Sequence, residues 1–114
     1  MAYDEKLTQR FRDAVDDAHA LTEKRMMGGV CFMYHGNMLG GADRHKTTEI
    51  GRFMFRVGKD NQEKALQRKG AIPVEQGGRT MTGLVFVSES DCNKTQLKSW
   101  INLAMKFVGK LPAK

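Results

Sequence analysis

The sequence has no long hydrophobic run, and this absence excludes one class of protein. The longest apolar stretches, such as residues 30–34 and 84–87, hold about five residues, whereas a helix that spans a bilayer needs about 20. The N-terminus carries Asp4, Glu5 and Lys6 where a secretion signal would become apolar. We therefore expect no transmembrane helix, no secretion signal and no membrane partner, and we expect the protein in the cytoplasm.

Cysteine is also scarce. Cys31 and Cys92 are the two cysteines, and neither lies in a CxxC pair or in a cluster with zinc-ligand spacing. Cys31 and His35 are four residues apart on a predicted strand, about 13 Å, which is too far for both to bind one zinc ion. A reducing compartment argues against a disulfide between the two thiols. We therefore expect no metal and no cofactor.

The motifs of phosphate-binding loops and of common nucleophilic enzymes are missing too. Gly28-Gly29 and Gly77-Gly78 are simple pairs, not GxGxxG or GxxxxGKS, and are more typical of bends in strands. Cys92 follows Asp91 near the start of the last predicted helix, where the helix dipole would lower the pKa of a thiol. Cys92 is therefore the candidate reactive thiol. We nevertheless expect the protein not to be an enzyme, because no base or catalytic motif accompanies this cysteine in the sequence. A thiol-based redox sensor or small enzyme remains an alternative.

What the sequence does have is positive charge. The formal net charge is +6 and the pI is near 9.6, which permits contact with nucleic acid or with acidic partners. Phe53 and Phe55 alternate with arginines and would stack on bases only if their face were open; we expect them to be core. Direct nucleic-acid binding remains an alternative. The candidate interaction surface consists of basic residues on strands and on the last helix: Arg52, Arg56, Arg79, Lys94, Lys98 and Lys106.

Apolar residues at helical spacing predict a helix at each end of the chain. The first stripe runs from Asp4 to about Leu21 in steps of three and four. The second, wider stripe covers residues 97–111, and Pro112 is expected to end that helix. Lysines occupy the remaining surface of this last helix. The pattern predicts one buried side on each helix.

A shorter helix is predicted between them. Asp60 and Glu63 have the spacing of a capping box, with Asp in the Ser/Thr position. The helix should run to about Lys69, where Gly70 stops it. Its few apolar residues place it on the surface.

Strand patterns fill the middle of the chain. Residues 24–42 read as two or three antiparallel strands, with His35-Gly36-Asn37 as a turn. Residues 52–57 alternate as a half-buried strand, and residues 84–87 form another. Residues 43–51 are predicted as a loop or hairpin tip and residues 71–78 as a connection.

These elements predict one domain over residues 1–114. The order is a helix, three or four strands, a helix, one or two strands and a last helix. Runs of antiparallel strands with helices on one face are typical of a two-layer α+β fold with a meandering antiparallel sheet.

Several separated segments resemble the TfoX/Sxy N-terminal domain family. EKRMMGGVCFMYHGNM at 23–38 resembles that family's first turn, strand and GNM-like turn. FMFRVG at 53–58 is similar to its LMVRVG strand, and GAIPVEQGGRTMTGLVFV at 70–87 resembles its GARPMDFTGRPMKGFVYV. LKSWINLAMKFVGKLPAK at 97–114 is similar to its closing helix. The resemblance covers essentially the whole chain.

The resemblance implies an α+β fold like that of secretion chaperones. It also implies a non-enzymatic, stand-alone, single-domain member that binds a protein partner, with the transcription machinery as the candidate. The best-known members regulate bacterial competence together with the cyclic-AMP receptor protein and carry a second domain. The family has no agreed catalytic residues, so none is carried over. The oligomeric state, monomer or dimer, stays open.

The chain departs from the family pattern at a few positions. Met27 stands where Phe is usual, Gln76 and Gly77 replace an aromatic–Thr pair, and Thr80 stands where Pro is common. The connection at 39–52 is longer than usual. These departures weaken the transfer of a binding surface through those positions, while the retained glycines and apolar alternation preserve the expected fold.

Overall fold

The fold is taken from a computed structural model, which describes residues 4–15, 21–26, 29–45 and 47–113. Its helices are α1 (Glu5–Ala14), α2 (Gln62–Leu66) and α3 (Lys94–Val108). Its strands are β1 (Leu21–Met26), β2 (Gly29–Tyr34), β3 (Asn37–Arg44), β4 (Gly51–Arg56), β5 (Ala71–Gln76) and β6 (Arg79–Ser88). Single-turn 3₁₀ helices precede α2 and α3, at Lys59–Asn61 and Glu89–Asp91.

The six strands form one antiparallel sheet in the order β1-β2-β3-β4-β6-β5. The first four strands follow one another as a meander. The chain then leaves β4 through α2, forms the edge strand β5, and returns by a hairpin as β6 between β4 and β5. The predicted α+β fold with an antiparallel sheet is confirmed.

Aromatic side chains form the core between the sheet and the helices. Phe53 and Phe55 point from β4 toward the helices and are completely buried. The ring of Phe11 on α1 stacks on Phe32, with 4.3 Å between centroids. Trp100 on α3 stacks on Phe55 at 5.2 Å. The expectation that Phe53 and Phe55 are core is confirmed, and these rings are closed to a stacking nucleobase.

Helix α1 begins as its sequence predicts. The Asp4 side chain caps it by accepting a hydrogen bond from the Leu7 N–H at 3.1 Å. Leu7, Phe11 and Ala14 form its buried stripe. The helix ends at Ala14, since Val15 adopts extended backbone angles.

The predicted extension of this helix to Leu21 is wrong. Leu21 starts β1 and pairs with Tyr34 of β2. The position of Leu21 in the sequence fits both the apolar stripe of a helix and the start of a strand. Its backbone groups form their hydrogen bonds with β2 in the sheet and not within a helix. Residues 16–20 lie outside the described residues, as do Met27 and Gly28.

The predicted hairpin at residues 24–42 is confirmed, with three strands. The β2–β3 turn consists of His35 (φ 51°) and Gly36 (φ 83°), flanked by the pair Tyr34 and Asn37. Two central residues with positive φ fit the right-handed twist of a two-residue hairpin. The polar segment at 43–51 is the tip of the next hairpin, β3–β4, closed by a hydrogen bond from the His45 N–H to the Ile50 carbonyl at 3.0 Å.

The start of α2 differs from its prediction. The capping box of Asp60 and Glu63 does not form, because a 3₁₀ turn leads into the helix and Asn61 occupies the N-cap position without a side-chain cap bond. The Asn61 side chain instead donates to the Val57 carbonyl at 3.1 Å. The helix also ends earlier, at Leu66, although Gly70 with φ 82° does mark the turn into β5.

The segment predicted as a connection, residues 71–78, contains strand β5. The prediction failed here because Pro73 is unfavourable within a sheet. Pro73 is tolerated at this position because β5 is an edge strand, where one row of backbone groups has no partner strand.

Helix α3 is fixed at its start by a reciprocal cap. The Asn93 side chain accepts from the Gln96 N–H at 2.9 Å, and the Gln96 side chain accepts from the Asn93 N–H at 2.8 Å. The helix ends at Val108, four residues before the predicted stop at Pro112. The chain after it continues in shorter-range bonds, such as Leu111 N–H to the Val108 carbonyl at 3.1 Å.

Candidate interaction surfaces

Two of the three predicted strand arginines contact other side chains. Arg52 pairs with Asp43 (Nε to Oδ1, 2.8 Å), and its Cζ lies 3.7 Å from the centroid of the Phe86 ring. The guanidinium carbon of Arg56 lies 5.5 Å from the centroid of Phe107 on α3. Arg79 is exposed beside the β5–β6 turn. Arg52 and Arg56 therefore make separate contacts, whereas Arg79 faces solvent.

The α3 lysines are all exposed, and two of them share a surface. Lys94 lies in the first turn of α3. Lys98 and Lys106 lie further along and line depressions between α3 and α2. Of the six residues predicted as one interaction surface, the structure brings together this lysine pair.

The larger depression is a groove of about 860 Å³ between α2 and α3, which we call the basic groove. Four of its lining residues are cations and one is an acid; Lys64 and Lys106 lie on the helices, and Arg68 and Lys110 lie in the turns that follow them. Within the described part of the chain, no carboxylate forms an ion pair with these four cations. The lining residues are Asp60, Asn61, Lys64, Ala65, Gln67, Arg68, Leu103, Lys106, Phe107 and Lys110.

The floor of the basic groove is apolar. Ala65 is buried in the core, and Leu103 and Phe107 are half-buried and pack against it. The Phe107 ring lies so close to Gly58 that a Cβ at that glycine would overlap it. Gly58 also has φ 90°, a backbone conformation that favours glycine. The backbone angle and the close Phe107 ring therefore both require glycine at this position. The groove thus combines cations at its rims with a fixed apolar floor.

Arg68 closes one end of the basic groove. Its Nη1 donates to the Ser99 hydroxyl at 3.2 Å, and its Cζ lies 4.7 Å from the centroid of Trp100. A second, shallower depression of about 390 Å³ lies beyond it and shares Arg68, Leu103 and Lys106. The two depressions form one continuous basic surface, with Arg68 as a bridge from α2 to α3.

Of the four cations of the basic groove, the sequence predicted only Lys106, since Lys98 lines the second depression. The available signal for Lys64, Arg68 and Lys110 was spacing, because Lys64/Arg68 and Lys106/Lys110 are each four residues apart, the separation that places side chains on one side of a helical turn. The position of α2 beside α3 depends on tertiary packing.

Cys92 does not have the predicted low pKa. Burial is the main cause that raises the pKa of its thiol to about 11; Asp91 adds to the effect and Arg10 opposes it. Cys92 is completely buried and precedes the N-cap residue Asn93, so the expected effect of the helix dipole is outweighed by desolvation. Burial and Asp43 likewise raise the pKa of Cys31. The reactivity of the Cys92 thiol stays a prediction, which labelling with a thiol reagent tests.

Two kinds of site are absent from the described residues. No group of three or more His, Cys, Asp or Glu side chains among them could hold a metal ion. No helix among them has the length and apolar character needed to cross a membrane.

Comparison with known proteins yields one family. The family model for the TfoX N-terminal domain matches residues 13–108. No curated protein and no solved structure matches the chain.

Proposed function

The chain belongs to the TfoX N-terminal domain family, and on that premise we propose that it is a non-enzymatic module that binds a protein partner in bacterial transcriptional regulation. Competence control is the role of the family's best-known regulators, and the transcription machinery is the candidate partner. The fold alone does not carry this function, because unrelated activities share folds. The support comes from the surface.

The observation that carries the proposal is the basic groove. Four cations, on α2, on α3 and in the turns that follow them, line the groove with its apolar floor of Leu103 and Phe107, and no carboxylate of the described residues forms an ion pair with them. Protein interfaces commonly combine an apolar centre with a polar rim. Opposite charge on a partner would steer its approach and fix its orientation.

The chemistry of the two thiols gives little support to the redox alternative. A reactive cysteine needs an exposed thiol that ionises near neutral pH. Cys92 and Cys31 are both buried, and burial raises the pKa of each. The described surface therefore favours binding over thiol catalysis.

A pull-down with matched variants tests the proposal. The bait proteins are the wild type, the groove variant Lys64→Glu/Lys106→Glu, and the control Lys6→Glu/Lys24→Glu. The control changes the net charge equally at exposed positions on α1 and β1. Enriched proteins from a lysate of the native cells are identified, purified and titrated against each bait.

We expect the wild type and the control to bind the same purified protein and the groove variant to lose it. Equal binding by all three baits would remove the groove from the proposal. If no protein is enriched, the module loses its main support. Salt-dependent binding to duplex DNA that is lost only in the groove variant would favour the nucleic-acid alternative.

A further inference from the structure

The basic groove has the features of a site for one extended or helical chain. Arg68 spans from α2 to Ser99 on α3, so the groove at that end is no wider than one extended arginine side chain. A nucleic-acid duplex would lie across the rims and leave the apolar floor uncovered. A single polypeptide segment could reach both the floor and the rims.

The aromatic rings near the groove are already covered. Trp100 is stacked between Arg68 and Phe55 and is only 3% exposed. One side of the Phe107 ring is taken by Gly58, and Arg56 lies 5.5 Å from its centroid. Single-stranded nucleic acid is bound chiefly by stacking of bases on open aromatic faces. The groove therefore offers charge but little stacking surface, which favours a peptide.

The spacing of the cations defines the peptide further. Lys64 on α2 and Arg68 in the turn that follows it are four residues apart, as are Lys106 on α3 and Lys110 in the turn that follows that helix. Four residues of a helical turn rise about 6 Å, and alternate residues of an extended peptide are about 7 Å apart. Carboxylates two residues apart in an extended segment, or four apart in a helical one, therefore match either rim.

From these features we propose that the basic groove binds an acidic segment of the partner protein, with one apolar side chain seated on Leu103 and Phe107 and flanking carboxylates paired with the four cations. This assignment rests on the proposed function and names the chemistry of its partner. Asp60, the one acid of the lining, would repel carboxylates at its end, so the acidic residues should concentrate toward Arg68 and Lys106.

The test uses a defined peptide. A fluorescein-labelled peptide with two Asp-Glu-Leu-Glu-Asp units joined by Gly is titrated with the wild-type protein and followed by fluorescence anisotropy. One control peptide replaces every acid by its amide, and another replaces both leucines by glycine. Oligothymidylate and a short duplex of equal charge are titrated in parallel, and a ¹⁵N-labelled sample locates the bound peptide.

We expect saturable binding of the acidic peptide, with amide shifts at Ala65, Arg68, Leu103 and Phe107. Lys64→Glu/Lys106→Glu should weaken it by about tenfold or more, because attractive pairs become repulsive, whereas Lys6→Glu/Lys24→Glu should leave it within about twofold. Loss of the carboxylates should abolish binding, and loss of the leucines should weaken it several-fold.

Other results would overturn the assignment. Tighter, groove-dependent binding of either oligonucleotide would make nucleic acid the occupant. Equal weakening by the groove and control variants would show only non-specific charge attraction. If the peptide fails to bind while a purified partner still requires Lys64 and Lys106, the proposed function stands and the acidic-segment assignment falls.

Discussion

Arg68, in the turn that follows α2, covers the indole of Trp100 on α3, with its Cζ 4.7 Å from the ring centroid and its Nη1 3.2 Å from the Ser99 hydroxyl. This one side chain joins two helices that are far apart in sequence and closes the end of the basic groove. Because Trp100 is the single tryptophan of the chain, its fluorescence reports on this contact.

Replacing Arg68 by Ala should expose the indole and shift its emission to longer wavelength. A stacked guanidinium at an exposed site contributes about 0.5–1 kcal/mol, so we expect the free energy of unfolding to fall by about that amount. The measurements are the emission spectrum and urea unfolding. Lys64→Ala is the control, since it removes a cation of the same groove, four residues earlier in the sequence, and leaves the contact between Arg68 and Trp100 in place. Equal emission shifts in both variants would contradict the role of the stacked arginine.

The positive φ of His35 in the β2–β3 turn predicts that two substitutions at this position differ in stability. Its φ of 51° is a conformation that Asn tolerates better than other non-glycine residues. The Tyr34–His35 ring contact, 4.2 Å between centroids, is lost in both His35→Asn and His35→Ala, so comparing these variants isolates the backbone effect. We expect the Asn variant to be more stable than the Ala variant by about 0.5–1 kcal/mol in urea unfolding.

Gly36 in the same turn should not tolerate a side chain. At φ 83° a Cβ is strained, so Gly36→Ala should destabilise the protein by about 1 kcal/mol or more. A Gly36→Ala protein as stable as the wild type would show that this turn adopts another conformation in solution.

Cys92 should make the folded protein less stable in alkali. Burial raises the pKa of the folded thiol from 9.0 to about 11. The unfolded chain therefore releases this proton at lower pH than the folded protein does. Its contribution is complete below about pH 9 and declines as the pH rises toward 11. At the upper end of this window the loss approaches about 2 kcal/mol.

The matched comparison is Cys92→Ala, unfolded by urea at pH 8 and at higher pH. The variant loses some packing at every pH, but its stability should decline less steeply between pH 9 and 11. A thiol reagent supplies a second measurement: Cys92 and Cys31 should label slowly in the folded protein and rapidly in urea. Fast labelling of native Cys92 would restore the reactive-thiol hypothesis.

Local chemistry explains which elements the sequence predicts well. The turn at His35-Gly36 depends on adjacent residues, and the burial of Phe53 and Phe55 follows from simple alternation. The end of α1 was mispredicted because Leu21 fits both a helical stripe and a strand. The pairing of Leu21 with Tyr34 decides in favour of the strand. Tyr34 lies outside the sequence window in which the helical pattern is recognised, so that pattern does not reveal the pairing.

The same distinction applies to the candidate site. Lys98 and Lys106 could be found from the charge pattern of one long helix. Lys64 lies on a helix of five residues and Arg68 in the turn that follows it, and so short a helix has little periodicity to interpret. Their role appears only when α2 is placed beside α3, and that placement depends on burial of Ala65 in the common core.

The ion pair between Arg12 and Glu23 should stabilise the attachment of α1 to the edge strand β1. Arg12 Nη2 lies 2.6 Å from Glu23 Oε1, and its Nε donates to Oε2 at 2.6 Å. This hydrogen bonding is the main cause that lowers the pKa of Glu23 below 4.5, against an opposing effect of burial. The pair's contribution is therefore present above pH 4.5 and is lost as the pH falls through the lower folded pKa.

Glu23→Gln should thus destabilise the protein at pH 7 and have a smaller effect at pH 3. The side chains of Arg12 and Glu23 are 37% and 35% exposed, so solvent screening limits the effect to about 1 kcal/mol or less. The measurement is urea unfolding of the wild type and the variant at pH 7 and pH 3. Asp4 also has a lowered pKa, but its ion pair with Arg44 is present in the wild type and in the variant, so its effect cancels in the difference. Added salt should reduce the difference at pH 7. A difference that is independent of pH and salt would indicate lost packing instead of a lost ion pair.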